Sequence, residues 1–144
     1  MLAETPTAAQ LSQVIGQVTA PSFLLGAVAA FISLLMGRMN RIIDRSQALD
    51  AIGGDDRSRA DLKADIPRLH RRAALLNRAI FFSTVAAIVT SSLVIVAFAF
   101  AYLETRHEYG VGILFVVALG FFIASLIDLA RECRMALHEF DHRR

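Results

Sequence analysis

Long apolar stretches dominate the pattern of this chain, and two segments with charged residues, 38–78 and 104–108, separate them. No charged residue occurs from Thr5 to Gly37, from Ala79 to Leu103, or from Tyr109 to Ile127. A helix needs about 20 apolar residues to cross the hydrocarbon core of a bilayer. The second stretch has 25 residues and the third has 19, so both predict membrane-spanning helices.

The first apolar stretch divides into two parts. One helical face of residues 8–20 carries Leu11, Val14, Ile15 and Val18. The opposite face carries glutamine and serine, and this pattern predicts an interfacial amphipathic helix. Pro21 is expected to break that helix, because the residue before a proline is pushed out of helical geometry. We therefore expect Pro21 to occupy the first turn of span one.

Composition supports a membrane protein. The chain has 144 residues, of which 56% are hydrophobic and 19% charged, and its mean hydropathy is +0.53. A soluble domain of this size has too little interior to bury so much apolar surface. The N-terminal residues include no basic side chain, so we expect the first apolar segment to be retained rather than cleaved.

The basic residues are distributed very unevenly, and this predicts the orientation. Residues 38–78 hold ten of the fifteen Lys and Arg residues, the segment after Asp128 holds four, and Arg106 is the remaining one. The positive-inside rule therefore predicts a cytoplasmic middle segment and C-terminus, with the N-terminus outside. The location expected is the inner (plasma) membrane.

Helical periodicity continues into the segment between spans one and two. Apolar or small side chains recur three and four residues apart at Met39, Ile42, Ser46 and Leu49, and again at Leu62, Ile66, Leu69, Ala73, Leu76 and Ile80. Such heptad-like seams allow two helices to pack along a shared stripe. Residues typical of turns follow Ala51. A return helix could be capped by Ser58 or Asp61. Pro67 predicts either a kink in that helix or a helix start.

These patterns together predict an all-α protein with three transmembrane spans and a cytoplasmic antiparallel helical hairpin that extends spans one and two. The expected segments are an outer interfacial helix at 8–20, span one at 21–37, the hairpin at 38–78, span two at 79–103, an outer loop at 104–110, span three at 111–127, and a cytoplasmic tail at 128–144. Tyr102 and Tyr109 flank the outer loop, where an aromatic belt is expected.

Three juxtamembrane motifs carry a family resemblance. They are the run Arg38-Met-Asn-Arg-Ile-Ile-Asp-Arg45 after span one, Arg71-Arg-Ala-Ala-Leu-Leu-Asn-Arg-Ala-Ile80 before span two, and Arg131-Glu-Cys-Arg134 after span three. In combination they resemble the small bacterial membrane proteins grouped as domain of unknown function 2721. The resemblance covers roughly residues 11–137 and implies a three-span protein, without an activity to carry over.

Two groups of residues are candidates for interactions. The basic group at the expected membrane boundary comprises Arg38, Arg41, Asp44, Arg45, Arg71, Arg72 and Arg78. It could bind anionic lipid headgroups or ring the mouth of an oligomeric pore. Alternatively it anchors the spans, with Asp44 paired to Arg41 or Arg78, while Asn77 and Arg78 lock onto Asn40 and Arg41.

The second group is a stripe of small residues on span one that would permit close helix packing: Gly26, Ala30, Ser33 and Gly37. Span two is rich in hydroxyl groups, at Ser83, Thr84, Thr90, Ser91 and Ser92. These hydroxyls could line a wet pathway, but bonding to helix carbonyls or between helices is the favoured interpretation. Asp128 is expected to form a salt bridge with Arg131 at the end of span three.

No pattern in the chain points to catalysis or to a cofactor. The pair His138 and His142 offers too few ligands for a metal site, and Cys133 is the single cysteine. No nucleophile–base pair, P-loop or dinucleotide motif occurs, so no enzyme activity is expected. The basic segment 57–78 is interleaved with acids and lacks aromatic residues, which argues against nucleic-acid binding.

Two functions remain open at this point. The first is a homo-oligomeric pore or channel, with one span per subunit around the axis and basic rings at the cytoplasmic mouth. The alternative is a non-conducting scaffold or accessory protein whose hairpin docks a protein partner, which predicts a seam left partly unfilled. Membrane lipids are expected partners in both cases.

Overall fold

The structure, a computed structural model, describes residues 8–51, 66–103 and 108–141. Apart from Ala51, which lies in a turn, these residues form three helices: α1 (Ala8–Asp50), α2 (Ile66–Leu103) and α3 (Glu108–Asp141). By length and composition each helix can cross a membrane. The expected all-α fold with three apolar helices is confirmed, and the chain is a multi-pass membrane protein.

The middle helix of the chain is also the middle helix in space. Both α1 and α3 pack along α2, whereas they touch each other only slightly. Phe31 of α1 meets Phe122 of α3 edge to face, with ring centroids 5.4 Å apart. Because α2 is covered on two sides, more of its length is buried than that of either neighbour.

Buried positions recur every seven residues on all three helices. On α1 they are Pro21, Val28, Leu35, Ile42 and Leu49. On α2 they form two rows, Leu69, Leu76, Ser83, Thr90 and Ala97 in one and Ala79, Ala86 and Leu93 in the other. On α3 they include Ala118, Ser125 and Glu132. A strict seven-residue repeat is typical of helices that supercoil with a left-handed twist.

The antiparallel hairpin that extends spans one and two is confirmed. Leu35, Ile42 and Leu49 of α1 form one buried cluster with Leu69, Leu76 and Ala79 of α2. Met39, Ile66, Ala73 and Ile80 pack against this cluster, as the seam predicted. In the described residues the seam is filled by the hairpin's own side chains. A partner of the hairpin would therefore have to bind its outer face, and not the partly unfilled seam that the scaffold hypothesis predicted.

The helix break expected at Pro21 is wrong. Helix α1 runs without interruption from Ala8 to Asp50, with Pro21 inside it. A proline here removes one N–H, which leaves the carbonyl of Gln17 without its helical donor. Neighbouring hydroxyls add bonds on both sides, since Thr19 donates to the carbonyl of Ile15 and Ser22 to that of Val18, each at 2.8 Å. Membrane helices tolerate proline through such local bonds and through packing, and Pro21 is buried.

Pro67 lies in the first turn of α2, where the missing N–H is not needed, so the alternative of a helix start there agrees with the structure. Several sequence predictions lie outside the described residues: the turn after Ala51, the caps Ser58 and Asp61, Leu62 of the seam, and His142. The side chains of Tyr102, Tyr109 and His138 are outside the description as well.

Candidate functional site

Charged side chains from all three helices meet where the apolar spans end and the hairpin begins. Two carboxylates of α3, Asp128 and Glu132, lie one turn apart and are each only 1% exposed. They receive arginines from the other two helices: Arg38 from α1, and Arg72 and Arg78 from α2. These five residues form the boundary cluster.

Glu132 connects the three helices. Arg72 donates from Nε and Nη2 to Oε1 of Glu132, at 3.0 and 2.7 Å. Arg38 donates from Nη1 to the other oxygen, Oε2, and the same nitrogen lies 3.0 Å from Sγ of Cys133. Both carboxylate oxygens are therefore bonded to cationic donors, which is the condition for burying a charge in an apolar region.

Asp128 pairs with α2 in a two-pronged geometry. Nε of Arg78 donates to Oδ2 at 2.7 Å and Nη2 donates to Oδ1 at 2.6 Å. This bidentate arrangement is the strongest form of arginine–carboxylate bond. Arg131 approaches Oδ1 only to 3.7 Å, and the Arg78 guanidinium also lies 5.8 Å from the centre of the Phe82 ring.

A polar contact continues the connection between α2 and α3 into the apolar region. Ser125 donates to the carbonyl oxygen of Ala79 at 2.6 Å, and its Oγ lies 2.8 Å from Oγ of Ser83. Because Ser125 has a single proton, Ser83 is the donor in the contact between the two hydroxyls. Small side chains at these positions allow the backbones to approach closely.

A family model described as protein of unknown function (DUF2721) matches residues 18–142. The chain belongs to this family. The matched segment contains all five residues of the boundary cluster, and the family resemblance drawn from the juxtamembrane motifs is confirmed. Searches of curated proteins and of solved structures found no significant match.

Membership of this family implies no activity, and the geometry of the boundary cluster is what indicates its role. Both carboxylates are enclosed and saturated with arginine donors. In the described residues no group of three His, Cys, Asp or Glu side chains is placed to hold a metal ion. What this arrangement does physically is to fix the three helices in register at one end of the spans.

The structure divides the predicted boundary group. Arg38, Arg72 and Arg78 belong to the boundary cluster. The other members of the predicted group have exposed side chains: Arg41, Asp44, Arg45 and Arg71. The expected pairing of Asp44 with Arg41 or Arg78 is wrong, because Arg78 turns to α3 instead. For the same reason the lock between Arg78 and α1 is wrong, and Asn40 and Asn77 are exposed.

The expectation for Asp128 is confirmed in part. Its salt bridge with Arg131 is present at 3.7 Å, but Arg78 forms the shorter, bidentate pair. Helix α3 continues past Asp128 to Asp141, so Asp128 does not end a helix. Glu132 entered the sequence interpretation only as part of the motif 131–134, and no partner was predicted for it. A signal was present, because Ser125 and Glu132 are seven residues apart and Asp128 lies four before Glu132, so these polar residues share a helical face.

The hydroxyl groups of span two behave as the packing interpretation predicted. Thr84, Thr90, Ser91 and Ser92 each donate to the carbonyl four residues earlier, at 2.7 to 2.9 Å. Each of these bonds lies within the helix. The proton of each hydroxyl is therefore used inside α2, although Thr84, Ser91 and Ser92 lie on its exposed surface.

The small-residue stripe on α1 faces outward. Gly26, Ala30, Ser33 and Gly37 are all exposed, and a Cβ added at Gly26 or Gly37 would meet nothing within 4 Å. Packing of the stripe against α2 or α3 of the same chain is therefore wrong. Packing against another subunit stays a prediction.

Proposed function

We propose that the protein is a non-conducting, self-associating membrane scaffold without catalytic activity. The observation that carries this proposal is that the serine and threonine hydroxyls of span two donate hydrogen bonds within the protein. Ser83 and Ser125 bond to each other, and the other hydroxyls of α2 bond to their own helix. A water-filled pathway needs polar groups that are free to face it, as charged or carbonyl rings do in known pores.

The position of α2 supports the same proposal. This helix packs against both α1 and α3, which bury Ser83 and Thr90. Its exposed hydroxyls, on Thr84, Ser91 and Ser92, donate to carbonyls of their own helix. The outward surfaces of the spans are largely apolar and include Phe23, Ile88, Ile95, Ile113 and Val116. Such surfaces suit contact with lipid or with other apolar helices, rather than with a column of water.

A rigid unit that carries a hairpin is suited to a scaffold role. The boundary cluster ties α1, α2 and α3 together at the base of the hairpin, and the filled seam stiffens the hairpin itself. A protein partner would then bind the outer face of the hairpin, where Ile43 is 43% exposed. By the positive-inside rule we propose a cytoplasmic hairpin and C-terminus in the inner (plasma) membrane, with the N-terminus outside.

A homo-oligomeric pore is the second candidate, and one observation favours it. The exposed stripe of Gly26, Ala30, Ser33 and Gly37 leaves α1 with a smooth outer face. In lipid such a face supports close helix association, because van der Waals packing replaces the hydrophobic drive. Copies of α1 that pack through this stripe would surround a central axis. The space along that axis would be either filled by side chains or open to water.

Native mass spectrometry and ion flux test the proposal together. We expect the wild-type protein to be an oligomer, and Gly26→Leu to shift it to a smaller species, because the larger side chain holds neighbouring helices apart. Gly120→Leu is the matched control, since Gly120 is likewise exposed on a span but lies on α3. Vesicles containing the wild-type protein should leak ions no faster than protein-free vesicles.

The two readouts separate the candidates. Ion flux above the protein-free level that disappears in Gly26→Leu would replace the scaffold by the pore. A monomeric wild-type protein would refute self-association, and an equal mass shift in Gly26→Leu and Gly120→Leu would refute the stripe as the contact surface.

A further inference from the structure

A groove of about 500 Å³ opens between the outer faces of α2 and α3, beside the boundary cluster. Four arginines surround it, two from each helix: Arg71 and Arg78 on α2, and Arg131 and Arg134 on α3. Between the arginines the lining is apolar and includes Leu75 and Met135. The groove thus combines a cationic rim with a floor that can contact hydrocarbon.

Two of the four arginines have no anionic partner in the described part of the chain. Arg78 and Arg131 approach Asp128, at 2.6 and 3.7 Å. Arg71 and Arg134 are exposed and form no ion pair with any described residue. Their guanidinium groups are therefore available to an anion from outside the protein.

The charge balance around the groove is strongly positive. Residues 66–80 of α2 and 128–137 of α3, the segments on either side of the groove, contain six arginines: Arg68, Arg71, Arg72, Arg78, Arg131 and Arg134. Within residues 66–80 of α2 and 128–137 of α3, Asp128 and Glu132 are the only acids. The two carboxylates leave an excess of four positive charges, and this excess attracts an anion.

The groove lies at the depth of lipid headgroups. Arg78 directly precedes the charge-free segment that begins at Ala79, and Arg71 is seven residues farther out, or about 10 Å along the helix. On α3, Arg134 likewise lies seven residues beyond Ile127, the last residue of the charge-free segment of that helix. The interfacial layer on each side of the hydrocarbon core is roughly 5–8 Å thick, so the arginine rim spans this layer.

We propose that this groove binds the phosphate group of an anionic phospholipid, with Arg71 and Arg134 as the main donors. Guanidinium groups recognise phosphate oxygens through paired hydrogen bonds. The apolar residues Leu75 and Met135 contact the upper part of the acyl chains. An anionic lipid is favoured over phosphatidylcholine, because the choline group would add a positive charge to a site that already has an excess. This inference goes beyond the scaffold role and is independent of self-association.

Lipid titration of the purified full chain tests the site. The protein in detergent is titrated with phosphatidylglycerol, and in parallel with phosphatidylcholine and with inorganic phosphate, while native mass spectrometry counts bound molecules. Arg71→Gln combined with Arg134→Gln should weaken phosphatidylglycerol binding roughly 30-fold, since each basic residue near the membrane surface contributes about a factor of 5. Arg71→Lys with Arg134→Lys keeps both charges and should lose no more than about 5-fold.

The control pair is Arg41→Gln with Arg45→Gln, which removes the same charge from exposed positions of α1 outside the groove. Because exposed charges that do not contact the phosphate are screened by water and salt, this pair should change the affinity by less than about 3-fold. Equal weakening in both pairs would mean diffuse attraction by the whole basic surface and would overturn the site. Binding of phosphatidylcholine as tight as that of phosphatidylglycerol would overturn it too, as would displacement of the lipid by equimolar inorganic phosphate. Melting curves in detergent alone verify that the glutamine variant is folded, and if it is not, Arg134→Gln alone replaces it.

Discussion

Removing the charge of Glu132 should destabilise the three-helix unit more than any other conservative change at the boundary cluster. Glu132→Gln keeps the size and shape of the side chain but replaces one oxygen by an NH₂ group. That group faces an arginine donor, either Arg72 at Oε1 or Arg38 at Oε2. The variant therefore loses the attraction between the carboxylate and the two arginines. In addition, the new NH₂ group and an arginine N–H, both hydrogen-bond donors, face each other.

The burial of the three partners sets the expected magnitude. Breaking a buried ion pair by removing one partner costs about 3–5 kcal/mol. The carboxylate is only 1% exposed, but the side chains of Arg72 and Arg38 are 19% and 40% exposed, so both arginines recover part of their hydration. We therefore expect a loss near the lower limit, about 3 kcal/mol in the free energy of unfolding.

Reversible unfolding in mixed detergent micelles, followed by circular dichroism, measures this loss. Asp44→Asn is the matched control, because it also removes one negative charge but acts at an exposed position without an ion pair in the described residues. It should change the free energy of unfolding by less than about 0.5 kcal/mol. Equal stability of the two variants would refute the cluster as the element that ties the helices together.

A triple variant tests whether unpaired buried charge causes the loss of stability in Glu132→Gln. Replacing Arg38, Arg72 and Glu132 by methionine removes all three charges at once and keeps apolar bulk at the site. Apolar replacement of a complete buried ion pair is often neutral or stabilising. The triple variant should recover at least about 2 kcal/mol of the loss seen in Glu132→Gln. A triple variant that is no more stable than Glu132→Gln would show that desolvation of the unpaired arginines is not the cause.

Two further predictions concern the hairpin and the topology. Leu69→Asp should lower the free energy of unfolding by about 4 kcal/mol, because it places a carboxylate on a seam position that is 2% exposed. Ala48→Asp adds the same charge at an exposed hairpin position and should cost less than about 0.5 kcal/mol, so equal melting of the two would contradict the seam. A cysteine at Thr105 should be labelled only from outside the cell, and a reporter fused after Arg144 should be active only in the cytoplasm. Labelling of position 105 from the cytoplasmic side alone would invert the topology.

The features that could be predicted from the sequence are those with a local physical cause. The length of a charge-free stretch indicates a span directly, because the bilayer thickness fixes how many helical residues are needed. The seam that contains Ile42, Leu49, Leu69 and Leu76 could also be predicted from the sequence, since the period of a helix places residues three and four apart on one face. Both features depend on neighbours along the chain and on no distant residue.

Local rules gave a wrong prediction at Pro21. They also gave no prediction of which helix or surface the small-residue stripe at Gly26 faces. A proline disfavours the helical conformation of the residue before it, but a buried position in a membrane helix can compensate for one missing hydrogen bond. A stripe of small residues shows that close approach is available, yet not which helix approaches. Only the packing of α1 on α2 showed that Gly26 and Gly37 face away from the rest of the chain.

The partners in the boundary cluster were decided by tertiary structure alone. Arg78 and Asp128 are 50 residues apart in the chain, Arg72 and Glu132 are 60 apart, and Arg38 and Glu132 are 94 apart. For each of these arginines, acidic residues such as Asp44 lie closer along the chain than its partner in the structure. The choice depends on which carboxylates the packing of α3 against α2 removes from water, because a buried carboxylate requires a cationic donor far more than an exposed one does.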